Sequence, residues 1–401
     1  MLTIGLLWHS FISGNLGVSA LTDANMTLIA QAAHDVLPDQ PLAFILFGPR
    51  GDSGFSAPEQ IAHFEYVEVS SPAQARNVRR KLAQCDLVFD IGAGDSFSDI
   101  YGIKRFAKIA GLKFMVPQMR QRLVISPQTI GPFAHWWARA VAAAALNRAA
   151  QVFVRDDLSA DRARALMRAS RASVLQRSTD VAFALERLPE WPAGFPAIEP
   201  GKTHIALNVS GLLHAGGYRG GNQFGLALDY RALIDTLIAN LAPRGDVVLW
   251  LVPHVYQISK TALESDLAVS RSLAGADPRL QLAPLFRNAR EAKTFISAMD
   301  LVIAARMHAA IAAVSSGVAC VPLSYSVKFQ GLFNSLGYPY TVDLKSAHLD
   351  DAVQASVGAL DKLSAMRDKA RSAAALAEQS LDTYRSAIRG RLLGKNLSSA
   401  A

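Results

Sequence analysis

The sequence predicts an α/β protein of two domains, each built on a parallel sheet with helices on both faces. Three observations carry this expectation. Short β-branched or aromatic runs alternate with longer Ala/Leu/Arg-rich segments, the pattern of βαβ units. Few of the short runs alternate strictly between apolar and polar residues, which suits strands buried on both faces. Between two such series, Pro189, Pro192, Pro196 and Pro200 crowd together with Gly194 and Gly201, marking a linker over 186–203.

The first domain, 1–185, is expected to hold strands at Leu2–Leu7, Leu42–Phe47, Asp86–Ile91, Leu123–Ser126 and Val152–Arg155. Helices are expected at Thr22–Val36, Trp136–Ala150 and Ser159–Ala169. In the second domain, 204–349, the strands are His204–Val209, Asp246–Val252, Leu301–Ala304 and Ala319–Leu323, with helices at Asp229–Leu241 and Ser259–Leu273. Residues 350–401 read as a helical segment ending in a frayed tail, Asn396–Ala401. The halves echo one another. Asp86-Leu-Val-Phe-Asp-Ile and Asp300-Leu-Val-Ile-Ala-Ala both open strands, followed later by Val124-Ile-Ser-Pro-Gln and Val321-Pro-Leu-Ser-Tyr. Two similar lobes would place strand C-terminal ends on either side of a cleft; chance likeness between any two α/β domains is the competing reading.

Composition narrows the function classes. The chain has 401 residues, is 51% hydrophobic and 18% charged, and carries a net charge of +8, which excludes disorder. Residues 101–180 hold 14 Lys/Arg against 4 Asp/Glu, a local +10, so the remaining residues sum to −2. That asymmetry calls for an anionic partner. Cys85 and Cys320 sit in or beside apolar runs and read as buried thiols in a reducing compartment. No apolar run reaches the roughly 18 residues of a membrane span, Leu301 to Leu323 being interrupted by Arg306 and His308. Met1 to Trp8 lacks a basic leader region and reads as a strand. A cytoplasmic protein, soluble or at a membrane surface, is expected.

Several motifs fall at strand ends. Gly92-Ala-Gly94-Asp95-Ser96-Phe97 lacks the third glycine of a dinucleotide fingerprint and reads as a glycine turn, either structural or with Asp95 facing the cleft. Ser13-Gly14-Asn15-Leu16-Gly17 permits close backbone approach, with Asn15 offering donor and acceptor. Arg155 ends a strand, and Asp157 or Ser159 is placed to cap the next helix. Ala305-Arg306-Met307-His308 interrupts an apolar stretch, so its charges are either paired within the fold or functional. His308 suits proton transfer. His254 ends another strand, as packing or as site. Lys328 reads as a cationic donor or a solvated loop lysine, and the glycine-rich loop 214–221 as a lid or an inert turn. The phosphate-loop, H-E-x-x-H and G-x-S-x-G signatures are absent from the sequence, as are a dedicated carboxylate cage for metal and a basic–aromatic nucleic-acid platform.

Taken in order, Gly14-Asn15-Leu16-Gly17, Asp86 to Asp95, Gln128-Thr129-Ile130-Gly131-Pro132, Arg155-Asp156-Asp157-Leu158-Ser159, Asp180-Val-Ala-Phe-Ala-Leu185, Arg306-Met307-His308 and Gly317 to Lys328 resemble the polysaccharide pyruvyl transferase family. The likeness runs from about residue 3 to 340 and rests on the ordered set rather than any one element. Many relatives carry Asp where this chain has Val18, so no role carries over at that position. The resemblance implies two Rossmann-like domains facing across a cleft, glycosyltransferase-B-like, with the first on the acceptor side and the second on the donor side. It implies phosphoenolpyruvate as co-substrate without a further cofactor or metal, and a bacterial surface glycan, free or lipid-linked, as acceptor of a cyclic pyruvate ketal. Chemistry then suggests Arg155 and Arg306 as forks for the donor's anionic groups, with His254 and Lys328 stabilising the departing phosphate. His308 is the expected general acid and Asp95 the expected base. Acceptor contacts are expected from Asn15, Gly94 and Gln128. A nucleotide-sugar glycosyltransferase and a non-catalytic carbohydrate-binding scaffold are the rival readings of such a fold. Because little of the basic charge falls at the proposed cleft, Trp136, Trp137, Arg139 and Arg148 suggest a face for an anionic membrane, or a solvated basic surface.

Overall fold

The computed structural model describes residues 1–49, 56–57, 64–69, 71–117, 122–256 and 263–399. Its first sheet comprises β1 (Leu2–Leu7), β2 (Leu42–Gly48), β3 (Phe64–Glu68), β4 (Leu87–Asp90), β5 (Leu123–Gln128), β6 (Gln151–Val154) and β7 (Leu175–Arg177). The second comprises β8 (Thr203–Asn208), β9 (Val247–Leu251), β10 (Leu280–Leu282), β11 (Leu301–Ala304), β12 (Ala319–Ser324) and β13 (Val342–Asp343). Their orders are β3-β2-β1-β4-β5-β6-β7 and β10-β9-β8-β11-β12-β13, and every pairing is parallel. Counted from its own first strand, each sheet begins with the order third, second, first, fourth, fifth, sixth. The two echoing sequence fragments therefore lie at equivalent places, the fourth and fifth strands of each sheet.

The central strands are buried throughout, as their apolar runs require. The sequence reading missed β3, β7, β10 and β13. These are edge or near-edge strands of five residues or fewer with polar positions, such as Phe64-Glu-Tyr-Val-Glu, and their weak apolar signal reflects partial exposure. Helix Leu16–Val36 starts six residues earlier than expected because the Asn15 side chain caps it, accepting from Gly17 N at 2.9 Å. The helix expected at Ser259–Leu273 is found at Asp266–Ala276, capped by Ser265; residues 259–262 lie outside the described ones.

The proline-rich segment is fastened rather than loose. Trp191 stacks on Phe295 and Phe195 packs on Phe286 and Phe295. Leu188 N donates to Thr294 Oγ1. The C-terminal helix Leu363–Ser399 runs through the expected frayed residues Asn396–Ser399 and returns to the first domain. There the Tyr384 hydroxyl, buried, reaches Asn25 and Ser126 at 2.9 Å, and Ser380 holds Ser178 and Thr179. Cys85 and Cys320 are buried and unpaired with each other. Among the described residues no helix is long and apolar enough to cross a membrane.

Candidate active site

The C-terminal ends of both sheets meet at one cleft. The loop after β1 pairs with the loop after β9: Leu16 N donates to His254 O, Tyr256 N donates to Gly14 O, and Asn15 bridges Val255. Deeper in, Arg290 of the second domain forks onto Asp23 of the first, both bonds 2.7 Å.

His308 lies on the first turn of helix Met307–Val314, directly after β11. Its Nε2 is 4.0 Å from Asp180 Oδ2 and has no hydrogen-bond partner among the described residues. Gly17 makes room for the ring, since a Cβ there would fall 2.4 Å from His308 Nδ1. Burial pushes the imidazole below its ordinary range; Asp180 and Asp95 pull it back without restoring it, and Arg155 adds to the depression. The balance favours the neutral imidazole.

The two arginines expected to grip a donor are largely occupied by the protein. Arg155, almost wholly buried, donates Nη1 to Asp180 and Nε to Thr129 Oγ1. Its role in this geometry is to hold the Asp180 carboxylate beside His308. Arg306 donates Nη2 to Asp266 at 2.7 Å and to Glu264 O, with Nε shared by both Asp266 oxygens at 3.2 Å. Its Nη1 has no hydrogen bond among the described residues. Asp266, which the sequence reading overlooked, also accepts the N–H groups of Gly211, His254 and Val255. It is a buried hub that fixes Arg306 and the His254 loop together.

His254 is buried and held down to about 3, by burial first and then by His308 and Arg306. That favours a neutral ring, and its Nδ1 has no hydrogen-bond partner among the described residues. Lys328 reaches across from the second domain. Its Nζ is 5.6 Å from the centre of the Tyr101 ring and has no hydrogen-bond partner among the described residues. Burial lowers its affinity for a proton, while Asp95 opposes that effect. Asp95 accepts from the Tyr101 hydroxyl at 2.5 Å. Burial pushes its carboxyl up, but Lys328, Tyr101, Arg155 and Arg105 outweigh burial and hold it below the usual range. These partners favour its charged form.

The residues expected to contact the acceptor also have partners within the fold. The Gln128 side chain is buried; its Nε2 donates to Asp90 O at 2.6 Å, and its Oε1 abuts Gly92, where a Cβ would fall 2.1 Å away. It braces the glycine turn instead of facing an open surface. The Asn15 side-chain oxygen is taken by its helix cap. Gly94, at φ +86°, leaves space beside Leu21 and Arg155, and its carbonyl accepts from Thr129 N. The cap of helix Asp157–Leu166 is Asp156, not Asp157 or Ser159: it accepts from both Ser159 N and Ser159 Oγ. That helix also brings in Arg162, missed in sequence, whose Nη1 is buried without a hydrogen-bond partner among the described residues and whose charge depresses Lys328. At the mouth, the glycine loop is folded into successive turns, with Tyr218 near Glu264 and Arg105.

The polysaccharide pyruvyl transferase family model matches residues 45–327. No curated protein matches the chain in sequence. Among solved structures, a UDP-GlcNAc 2-epimerase from Neisseria meningitidis bound to UDP-GlcNAc is similar, with TM-score 0.57 and 9% identity, covering 96% of this chain and 100% of that one. A trehalose-6-phosphate synthase gives TM-score 0.58 and 9% identity over 98% and 99% of the two chains. The sucrose-phosphate synthase of Thermosynechococcus elongatus gives 0.51 and 14% identity over the full length of both. At such identities the likeness establishes the fold: two Rossmann-like domains facing across a cleft, in the glycosyltransferase-B arrangement.

Proposed function

Because the chain belongs to the polysaccharide pyruvyl transferase family, we propose that its cleft transfers the carbons of phosphoenolpyruvate onto two hydroxyls of a surface-glycan sugar, forming a pyruvate ketal and releasing phosphate. The observation that carries this reading is the set of buried polar atoms around one cleft that have no hydrogen-bond partner among the described residues: His308 Nε2, His254 Nδ1, Lys328 Nζ and Arg162 Nη1. Such atoms are costly to bury and are satisfied by a compact polyanion.

In this reading a proton passes from His308 to the methylene carbon, making C2 electrophilic. A sugar hydroxyl forms its bond to C2 and passes its proton to Asp95, and the bond from C2 to the phosphate oxygen breaks, phosphate leaving with the electron pair. A second hydroxyl then closes the ketal, its proton leaving on the phosphate. His308 gains its proton as the donor's negative charges arrive, and Asp180, steadied by Arg155, stabilises the imidazolium. Lys328 and Arg162 meet phosphate; Arg306 Nη1 meets the carboxylate. The acceptor enters on the side of Gly94 and Asp95, and as a lipid-linked glycan it arrives from a membrane. The site needs no resident cofactor in this scheme. Titrating the protein with phosphoenolpyruvate tests the donor site: micromolar to millimolar binding is expected, weakened in Lys328→Met and Arg162→Met. Heat of binding from UDP-sugars with none from phosphoenolpyruvate would favour a glycosyltransferase instead.

A further inference from the structure

The basic surface of the first domain has cations that serve the fold and exposed cations that stand around an apolar patch. Residues 100–148 contain eight Lys/Arg and no Asp or Glu. Several of these cations serve the fold. Lys113 is buried against Asp90, Arg122 donates to the carbonyls of Ala83 and Cys85, and Arg148 donates to those of Phe114 and Val116. Trp137 is half-buried on Phe106. Of the face expected from Trp136, Trp137, Arg139 and Arg148, Trp137 and Arg148 are therefore engaged in the fold, while Trp136 and Arg139 stay exposed.

What remains is a different patch. Ile100 is 53% exposed, Ile103 54% and Trp136 79%. They are drawn together because Asp99 accepts from Ala134 N, His135 N and the His135 ring, tying the start of helix Ile103–Met115 to that of Trp136–Arg148. Exposed Lys104, Arg105, Lys108 and Arg139 surround these apolar tips. The patch adjoins the cleft, since Tyr101, next to Ile100, holds Asp95.

We infer that Ile100, Ile103 and Trp136 dock the protein on an anionic lipid surface, with the collar of cations reading the headgroups and the acceptor side of the cleft turned to the bilayer. Protruding apolar side chains ringed by cations, in a stretch without a single carboxylate from 100 to 148, match an interface that is apolar below and anionic above. The inference rests on the lipid-linked acceptor of the proposed function, and its test does not depend on turnover.

The full chain is sedimented with vesicles of phosphatidylglycerol and phosphatidylcholine, or of phosphatidylcholine alone. Binding to the anionic vesicles is expected, weakened by salt and lost by about tenfold for each of Ile100→Glu, Ile103→Glu and Trp136→Glu. Lys104→Glu with Lys108→Glu, which leaves the apolar tips in place, is expected to remove the preference for phosphatidylglycerol. Absence of binding at low salt would overturn the proposal. So would binding indifferent to these variants, or a patch that self-associates, read by sedimentation velocity, without touching vesicles. Failed vesicle binding with intact phosphoenolpyruvate turnover would reject docking alone, and the reverse would reject the donor reading alone.

Discussion

The two domains are built alike where the strands begin and differently where they end. In each, an aspartate opening the fourth strand latches the first. Asp86 exchanges bonds with Thr3, its N donating to Thr3 O and its Oδ2 accepting from Thr3 N at 2.9 Å. Asp300 does the same with His204, at the same 2.9 Å. At the other end the resemblance stops. In the second domain β11 runs almost directly into a helix that carries Arg306 and His308. In the first, β4 gives way to a glycine turn with Ala93 at φ +50°, braced by Gln128 and carrying Asp95 into the cleft. Shared architecture sits at the strand starts; the chemistry sits at the strand ends, where the domains diverged.

That contrast predicts which residues govern turnover and which govern stability. The largest effect is expected at His308. His308→Ala lowers kcat by about 10²–10⁴-fold without lowering the thermal midpoint, in an assay of phosphate release beside a melting curve. Lys328→Met raises the KM for phosphoenolpyruvate by about 10–100-fold, as loss of a charge-assisted contact should, with kcat less affected. Asp86→Ala and Asp300→Ala invert the pattern, each costing about 1–3 kcal/mol in denaturant unfolding while kcat is kept. A kinetic defect from either latch would break the comparison. The smallest effect is one of pH. His308 lies below its ordinary value in the free protein and rises when an anion binds, so the folded, liganded state holds the extra proton. Affinity for phosphoenolpyruvate should strengthen as pH falls from about 7.5 to about 6, and His308→Gln should flatten that slope.

Much of this was legible in the sequence because burial writes itself into composition. β1 and β11 match their apolar runs at both ends, since strands covered on both faces admit few polar residues. The edge strands were not legible, for the opposite reason. At the site, residue type pointed to His308, Arg306 and Lys328, the polar interruptions of apolar stretches. Partnership could not be read there. Asp266 is 40 positions from the Arg306 it neutralises, and Asp180 25 positions from Arg155. Only the fold brings them together, so two arginines expected to be free are mostly engaged. Arg162 was hidden among other helical arginines; what distinguishes it is a buried, unpartnered Nη1, a property of packing.

In the proposed function this cleft consumes phosphoenolpyruvate to make a ketal. The most direct measurement incubates the protein with phosphoenolpyruvate and a panel of glycans, lipid-linked ones included, and follows released phosphate together with the mass of the glycan. Equal amounts of phosphate and of glycan heavier by one pyruvate ketal are expected, both lost in His308→Ala. A glycan extended by a sugar from a nucleotide donor, with phosphoenolpyruvate left intact, would contradict it.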